Sequence, residues 1–435
     1  MFVRISAALI WLLASYASAQ VISSDSLTLG QAIQMVIENH PAILQAEQGI
    51  ASSEAQITQS QSAFYPQISG LGTYAYVGPV PQFDFPGFGK VELAVHNNYD
   101  FHVGLQQQLF DFGRRSTALE LAKFGRNSAA EVVEAAKAGL AYQTVETFYA
   151  ILFLLENISV IDEQITTLNE HLTITQKRLQ AGTVTDFEIL TTDVRIANLQ
   201  SQRTDIVNAL ENQETIFRQL TGLAQNASVI LKGNFVTSPV SLNSDSLISL
   251  ALSQVPDMKL SKYAETSAQI QSRLASLSDR PSLGANLLFG FKNGYEPNLK
   301  TIKANWAAGA QINVPIFNGF LTRGKQNQAR ANLNAAQLHT QDIERRIISA
   351  VDQAISGVEA SELKLGSAEP QVTQAEQAMS LARIRYSAGT ATNLDLLDAE
   401  TALANSRLIR LRAQYELVRN RYALERAVGT KFWEE

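Results

Sequence analysis

A duplication constrains this chain more than any single motif. Sliding the 435 residues over themselves by 207 positions brings Phe110 onto Phe317, Arg178 onto Arg385, Ala181-Gly182-Thr183 onto Ala388-Gly389-Thr390 and Gly222 onto Gly429, with no gap. Earlier in each half the displacement is 215, which sets Pro41 on Pro256 and Pro66 on Pro281. The difference is an insertion in the first half, between about Tyr76 and Tyr99. Its sequence VGPVPQFDFPGFGK has the Pro and Gly punctuation of a loop. The units read as a first repeat over 20–222, a linker over 223–246, a second repeat over 247–429 and a tail over 430–435.

Each half reads as helix, strand, loop, strand, very long helix, tight turn and shorter helix. Strands are expected at about 67–77, 99–110, 282–292 and 304–317, from period-two alternation. Thus Tyr99, Phe101, Val103 and Leu105 form one row, and Asp100, His102 and Gln106 the other. Their length suits a tilted membrane crossing with one face to lipid and one to water. A soluble sandwich is the alternative, although four strands make a poor core by themselves. His102 reads as a polar wall residue.

No strong breaker run interrupts 113–180 or 320–387, so each is expected to be one helix on the order of 100 Å long. The pieces 41–63 and 186–221 would stack end to end beside the first. Pro370, aligned with Glu163, is expected to kink or interrupt its helix. Small residues such as Ala118, Ala122, Ala329 and Ala336 replace a Leu stripe, which suits helices packed laterally on two neighbours around a lumen. A compact bundle with a dry core is the competing arrangement. Four strands cannot close a barrel in lipid, so copies must assemble. Two would give eight strands and three would give twelve; the wider barrel leaves an open pore and is preferred.

Residues 1–19 read as a signal peptide, with Arg4 before the apolar run Ile5 to Leu13 and Ala17-Ser18-Ala19 at the cleavage site. Export with a mature start at Gln20 follows, and no cysteine stands there to carry a lipid anchor. The chain has no cysteine at all, and its formal net charge of -6 argues against a nucleic-acid binder. The five histidines are scattered, with no pair at metal-ligand spacing and no nucleophile elbow, so no enzyme chemistry, metal or cofactor is expected.

The whole mature chain resembles the TolC-like outer-membrane efflux proteins. The resemblance rests on Leu27-Thr28-Leu29-Gly30-Gln31-Ala32 with Asn39-His40-Pro41, Tyr65-Pro66, Leu109-Phe110-Asp111-Phe112-Gly113 and Pro315-Ile316-Phe317-Asn318-Gly319. Its most specific part is Arg385-Tyr386-Ser387-Ala388-Gly389-Thr390 followed by Asn393-Leu394-Asp395-Leu396-Leu397-Asp398-Ala399-Glu400. It implies a mainly α protein with a membrane β part: a homotrimer whose twelve strands form one outer-membrane barrel, continued by a periplasmic α-helical barrel. It also implies a passive duct of a tripartite efflux or type I secretion system in a Gram-negative outer membrane, with a periplasmic adaptor and an inner-membrane pump as partners. A periplasmic coiled-coil scaffold without a pore is the alternative function, and the cargo stays open.

By the same resemblance the turns at Gly182-Thr183 and Gly389-Thr390 lie at the adaptor-docking tip, where glycine supplies the left-handed helix cap. Asp395 and Asp398 match acidic positions ringing the periplasmic entrance, Tyr386 a residue that helps hold the closed mouth, and Glu188 the acidic position of the first half. Crowded carboxylates there would raise one another's pKa and attract cations. Compensation of the helix N-terminus is the simpler role for the two aspartates. Ala391 stands where the family usually has an arginine, so one tie of the closed network is expected to be missing.

Overall fold

The computed structural model describes residues 26–87, 89–236 and 242–434. The signal peptide expected over 1–19 lies outside the described residues. Among the described residues, eight helices and six strands follow one another in two similar halves. In the first, α1 (Leu29–Asn39) and α2 (Pro41–Ser62) lead into β1 (Gln67–Tyr76); a short hairpin of β2 (Gln82–Phe85) and β3 (Gly89–Glu92) precedes β4 (Asn97–Phe110), α3 (Arg114–Gln180) and α4 (Asp186–Thr221). In the second, α5 (Ser244–Gln254), α6 (Pro256–Ser276), β5 (Ser282–Lys292), β6 (Lys303–Asn313), α7 (Leu321–Ser387) and α8 (Asn393–Val428) repeat the pattern without the hairpin.

Four of the strands make one antiparallel sheet in the order β1-β4-β5-β6. Its register sorts the side chains by chemistry. Phe101 faces Phe291, Val103 faces Phe289 and Leu105 faces Leu287, and across the next pair Phe289 faces Trp306. The other face carries Gln106 opposite Asn286, and Gly284 opposite Gln311. On this polar face Asp100 Oδ1 lies 3.0 Å from His102 Nδ1, in keeping with a wall residue. Gly290 sits opposite His102, where a Cβ would come within 2.3 Å of the Phe101 carbonyl oxygen; only glycine permits that strand approach. Among the described residues the strands pack on one another, and no helix or second sheet is laid over the apolar face, so Phe289 stays 53% and Trp306 73% exposed. This removes the soluble sandwich.

The helices form a wall in the same lateral order as the strands. α2 packs on α3, α3 on α6 and α6 on α7; farther along, α4 packs on α3, α3 on α8 and α8 on α7. The long helices have 67 residues each, on the order of 100 Å, and the stacked pairs α2 with α4 and α6 with α8 run beside them. A single-layer wall has few places to bury apolar surface, and the core collects where α1, α5 and the chain end thicken it. Phe148 and Ile151 of α3 and Phe217 of α4 are fully buried or nearly so in one cluster; Ile355, Val358 and Leu424, their repeat partners at 207 residues, are buried in another.

Four details depart from the sequence reading. The insertion is not wholly a loop, because β2 and β3 pair from Gln82 with Glu92 to Phe85 with Gly89. The last strand ends at Asn313 instead of 317, since Pro315 has no N–H to give a ladder. α7 continues through Pro370 without interruption. Finally, α5 begins at Ser244, inside the stretch read as linker, with Asn243 capping the N–H of Ser246.

Candidate gate at the helix-turn tip

The two long helices end in the same motif, and local bonding explains why. After α3, Gly182 adopts φ 72 and its N–H donates to the Leu179 carbonyl, while Thr183 N–H donates to that of Arg178. After α7, Gly389 adopts φ 75, with Gly389 N–H to the Tyr386 carbonyl and Thr390 N–H to that of Arg385. Both are Schellman caps, which reverse the chain while satisfying the terminal carbonyls. Thr183 and Thr390 are exposed, but each hydroxyl also donates to its helix, to the carbonyls of Arg178 and Arg385. Apolar side chains rim both turns: Phe187 and Leu190 at the start of α4 and Ile384 and Leu394 beside the second turn are exposed.

The helix that follows each turn starts differently. α8 begins with a complete capping box, in which Asp395 N–H donates to Thr392 Oγ1 at 3.2 Å and Thr392 N–H donates to Asp395 Oδ2 at 2.8 Å. The Thr392 hydroxyl also donates to that carboxylate. These bonds hold the Asp395 carboxyl below the ordinary range. In the protomer the carboxylate is engaged by its own helix N-terminus. α4 starts at Asp186, and its N-cap residue Thr185 makes no side-chain cap.

Asp398 ties α8 to α4. Its Oδ1 accepts from Arg195 of α4 at 3.0 Å, and the other arm of Arg195 donates to the Leu397 carbonyl and the Thr401 hydroxyl. An arginine on α4 thus clasps α8, while the second turn itself has Ala391 and no arginine. Tyr386 is buried, its ring capped by the Arg178 guanidinium at 4.7 Å and meeting the His171 ring edge-on at 5.3 Å. His171 in turn bonds Asn393, the first residue of α8. Its pKa is lowered by burial, opposed by the Asn393 bond and the Glu188 charge. The Tyr386 hydroxyl and Glu188 Oε2 are both buried without a hydrogen-bond partner.

The structure thus places both turns at one end of the molecule and joins Tyr386, Asp398 and the region of Glu188 through residues that the sequence reading missed: His171, Arg178, Arg195 and Asn393. A signal for two of them was available, because His171 and Arg195 align with Ala378 and Ala402 in the second repeat. A polar residue that breaks the repeat symmetry at a buried helix face has no reason to be there except a partner. Among the described residues no group of His, Asp or Glu could hold a metal ion.

A model of outer membrane efflux proteins matches residues 32–224 and 247–430, one span for each repeat. The outer membrane protein TolC of Vibrio cholerae is 23% identical over 403 residues, covering 90% of this chain and 88% of that protein. The alkaline protease secretion protein AprF of Pseudomonas aeruginosa is 23% identical over 415 residues, covering 91% and 83%. The crystal structure of the Campylobacter jejuni CmeC outer membrane channel superposes with a TM-score of 0.77 at 20% identity, over 92% of this chain and 85% of that one.

Proposed function

The chain belongs to the outer membrane efflux protein family, and on that premise we propose that it is the outer-membrane exit duct of a tripartite efflux or type I secretion system. One observation carries the reading: sheet and helices share a single lateral order and both stop at open edges. β1 and β6 each leave a row of backbone groups unpaired, which lipid does not tolerate. A second copy that pairs its β1 with β6 of the first also brings its α2 and α4 against the bare side of α7. Three copies close twelve strands around a polar bore wide enough to conduct. The apolar sheet face then meets lipid, and the helical wall continues the bore through the periplasm. A pore-less scaffold has no use for such a sheet.

The duct has no energy source of its own, so an inner-membrane pump and a periplasmic adaptor drive and open it, with the adaptor docking at the Gly182 and Gly389 turns. The Arg195 to Asp398 clasp and the Arg178, Tyr386 and His171 stack hold α8 and α7 against α3 and α4, so this end is the gate. Planar-bilayer recording of the detergent-purified protein tests the reading. Discrete conductance steps are expected, growing several-fold in the Asp395→Ala, Asp398→Ala double variant. Absence of steps from both forms, with the fold retained, would sink the duct; equal steps from both would remove the aspartates from the gate.

A further inference from the structure

Two turns into α8, Glu400 is only 6% exposed, and its Oε1 is buried with no hydrogen-bond partner. It lines a cleft of about 360 Å³ between α3, α7 and α8. Cationic groups are present but do not meet it. Arg407 of α8 is occupied by Glu163 of α3 at 2.8 Å and Glu376 of α7 at 3.6 Å. Arg383 of α7 and Arg195 of α4 face Glu400 and favour its ionised form, but neither forms an ion pair with it among the described residues. The burial of this acid is peculiar to the second repeat: the aligned acid, Asp193, is exposed.

A buried carboxylate without a partner is costly, whereas the protonated acid can stay buried. We infer that Glu400 is the proton-binding residue that sets how firmly α8 is seated against α3 and α7, the tip being held shut when Glu400 is neutral and loosened when it is charged. Burial is the larger effect on the side chain and raises its pKa to about 7, from an ordinary 4.5. The seated state therefore holds the proton more tightly than a loosened, wetted one. Raising the pH from about 4.5 through about 7 weakens the seat, and acid tightens it. The two values bound the change in the seated-to-loosened ratio at roughly 300-fold. His171 acts in the opposite sense, because burial lowers its pKa and acid disfavours its neutral, seated form.

The inference rests on the reading of the tip as the gate, and the test separates the two. Hydrogen exchange over residues 393–405 of the assembled, detergent-solubilised protein is compared with that of Glu400→Gln at pH values from about 5 to about 8, and bilayer current is recorded in parallel. Glutamine mimics the neutral acid, and taking the ratio of wild type to variant at each pH cancels the His171 contribution. The ratio of exchange rates is expected to rise at least fivefold with pH, and the current to follow. A ratio that stays constant overturns the role of Glu400, whatever the current does. A rising ratio with an unchanged current supports the proton-dependent seat and overturns the gate at the tip. Arg383→Gln, which removes a facing cation, is expected to move the transition to higher pH; an unmoved midpoint counts against the assignment. Glu400→Met serves as the neutral reference where glutamine disturbs assembly.

Discussion

α3 and α7 have equal length and equivalent places in the two repeats, yet α3 is enclosed and α7 is not. α3 has α2 and α4 on one side and α6 and α8 on the other. α7 packs on α6, α8 and the short α5, has no long helix beyond it, and leaves Leu338, Leu363, Leu381 and Ile384 exposed. Ala118 and Ala122 are accordingly half-buried, whereas Ala331 and Ala335 are exposed. The difference teaches that duplication fixed the shape of the helices, and position within the wall fixed their environment. α3 is the interior of a protomer and α7 is its seam. The tip repeats the lesson: the two turns are alike, while of the helices that follow them α8 alone starts with a capping box, and its Glu400 is buried where Asp193 of α4 is exposed.

The comparison breaks most readily at the core. Phe148 is fully buried against Tyr149, and its repeat partner Ile355 is aliphatic. Phe148→Ala is expected to cost about 3–5 kcal/mol, and Ile355→Ala about 2–5, with the larger loss at Phe148. Thermal unfolding of the purified protein checks the order, and a larger loss at Ile355 would show that the second knot dominates.

The ties come next. Arg195 joins the two halves, whereas Arg203 pairs with Asp162 at 2.6 Å within the first. Arg195→Ala should raise the bilayer current several-fold and Arg203→Ala should leave it nearly unchanged; equal effects would mean that any loosening of α4 opens the tip. Gly182→Ala and Gly389→Ala are expected to cost about 1 kcal/mol each, because both sites have positive φ and open space for a Cβ. Unequal losses in thermal unfolding would break the equivalence of the turns.

The caps give the smallest and sharpest contrast. Thr392→Ala should cost about 1 kcal/mol, seen as faster hydrogen exchange at the start of α8, and Thr185→Ala almost nothing, since Thr185 makes no side-chain cap. The Asp395 part of the cap follows pH. Its carboxyl is lowered in the folded state, so the contribution is full above the ordinary value and disappears as the pH falls through the lowered one. Acidification below about pH 4 should fray the start of α8 more than that of α4.

Much of this architecture was legible in the residues. The helix bounds at Gln180, Asp186, Thr221 and Ser387 follow from a glycine that ends a periodic run and an acidic or capped start. The omissions have local causes. α1 was not read as a helix of its own, although Thr28 and Gln31 form a capping box that the spacing alone announces. The hairpin in the insertion was hidden because Pro and Gly punctuation masks two strands of four residues each. Pro370 does not interrupt α7, because a proline weakens a helix by one bond and one clash, and sixty-odd packed residues outweigh both.

By itself the sequence determined the repeat, the lengths of the helices, the two faces of the sheet and the sites of the reversals, because all of these arise from backbone periodicity and from residues a few positions apart. Only the tertiary structure decided that His171 meets Asn393, 222 residues away, that Arg195 clasps Asp398 across 203, and that Glu400 is buried while Asp193 is exposed. Those outcomes depend on how each long helix is rotated against its neighbours. A few degrees of rotation, carried by packing along the whole wall, settle whether a polar side chain faces water, a partner or neither.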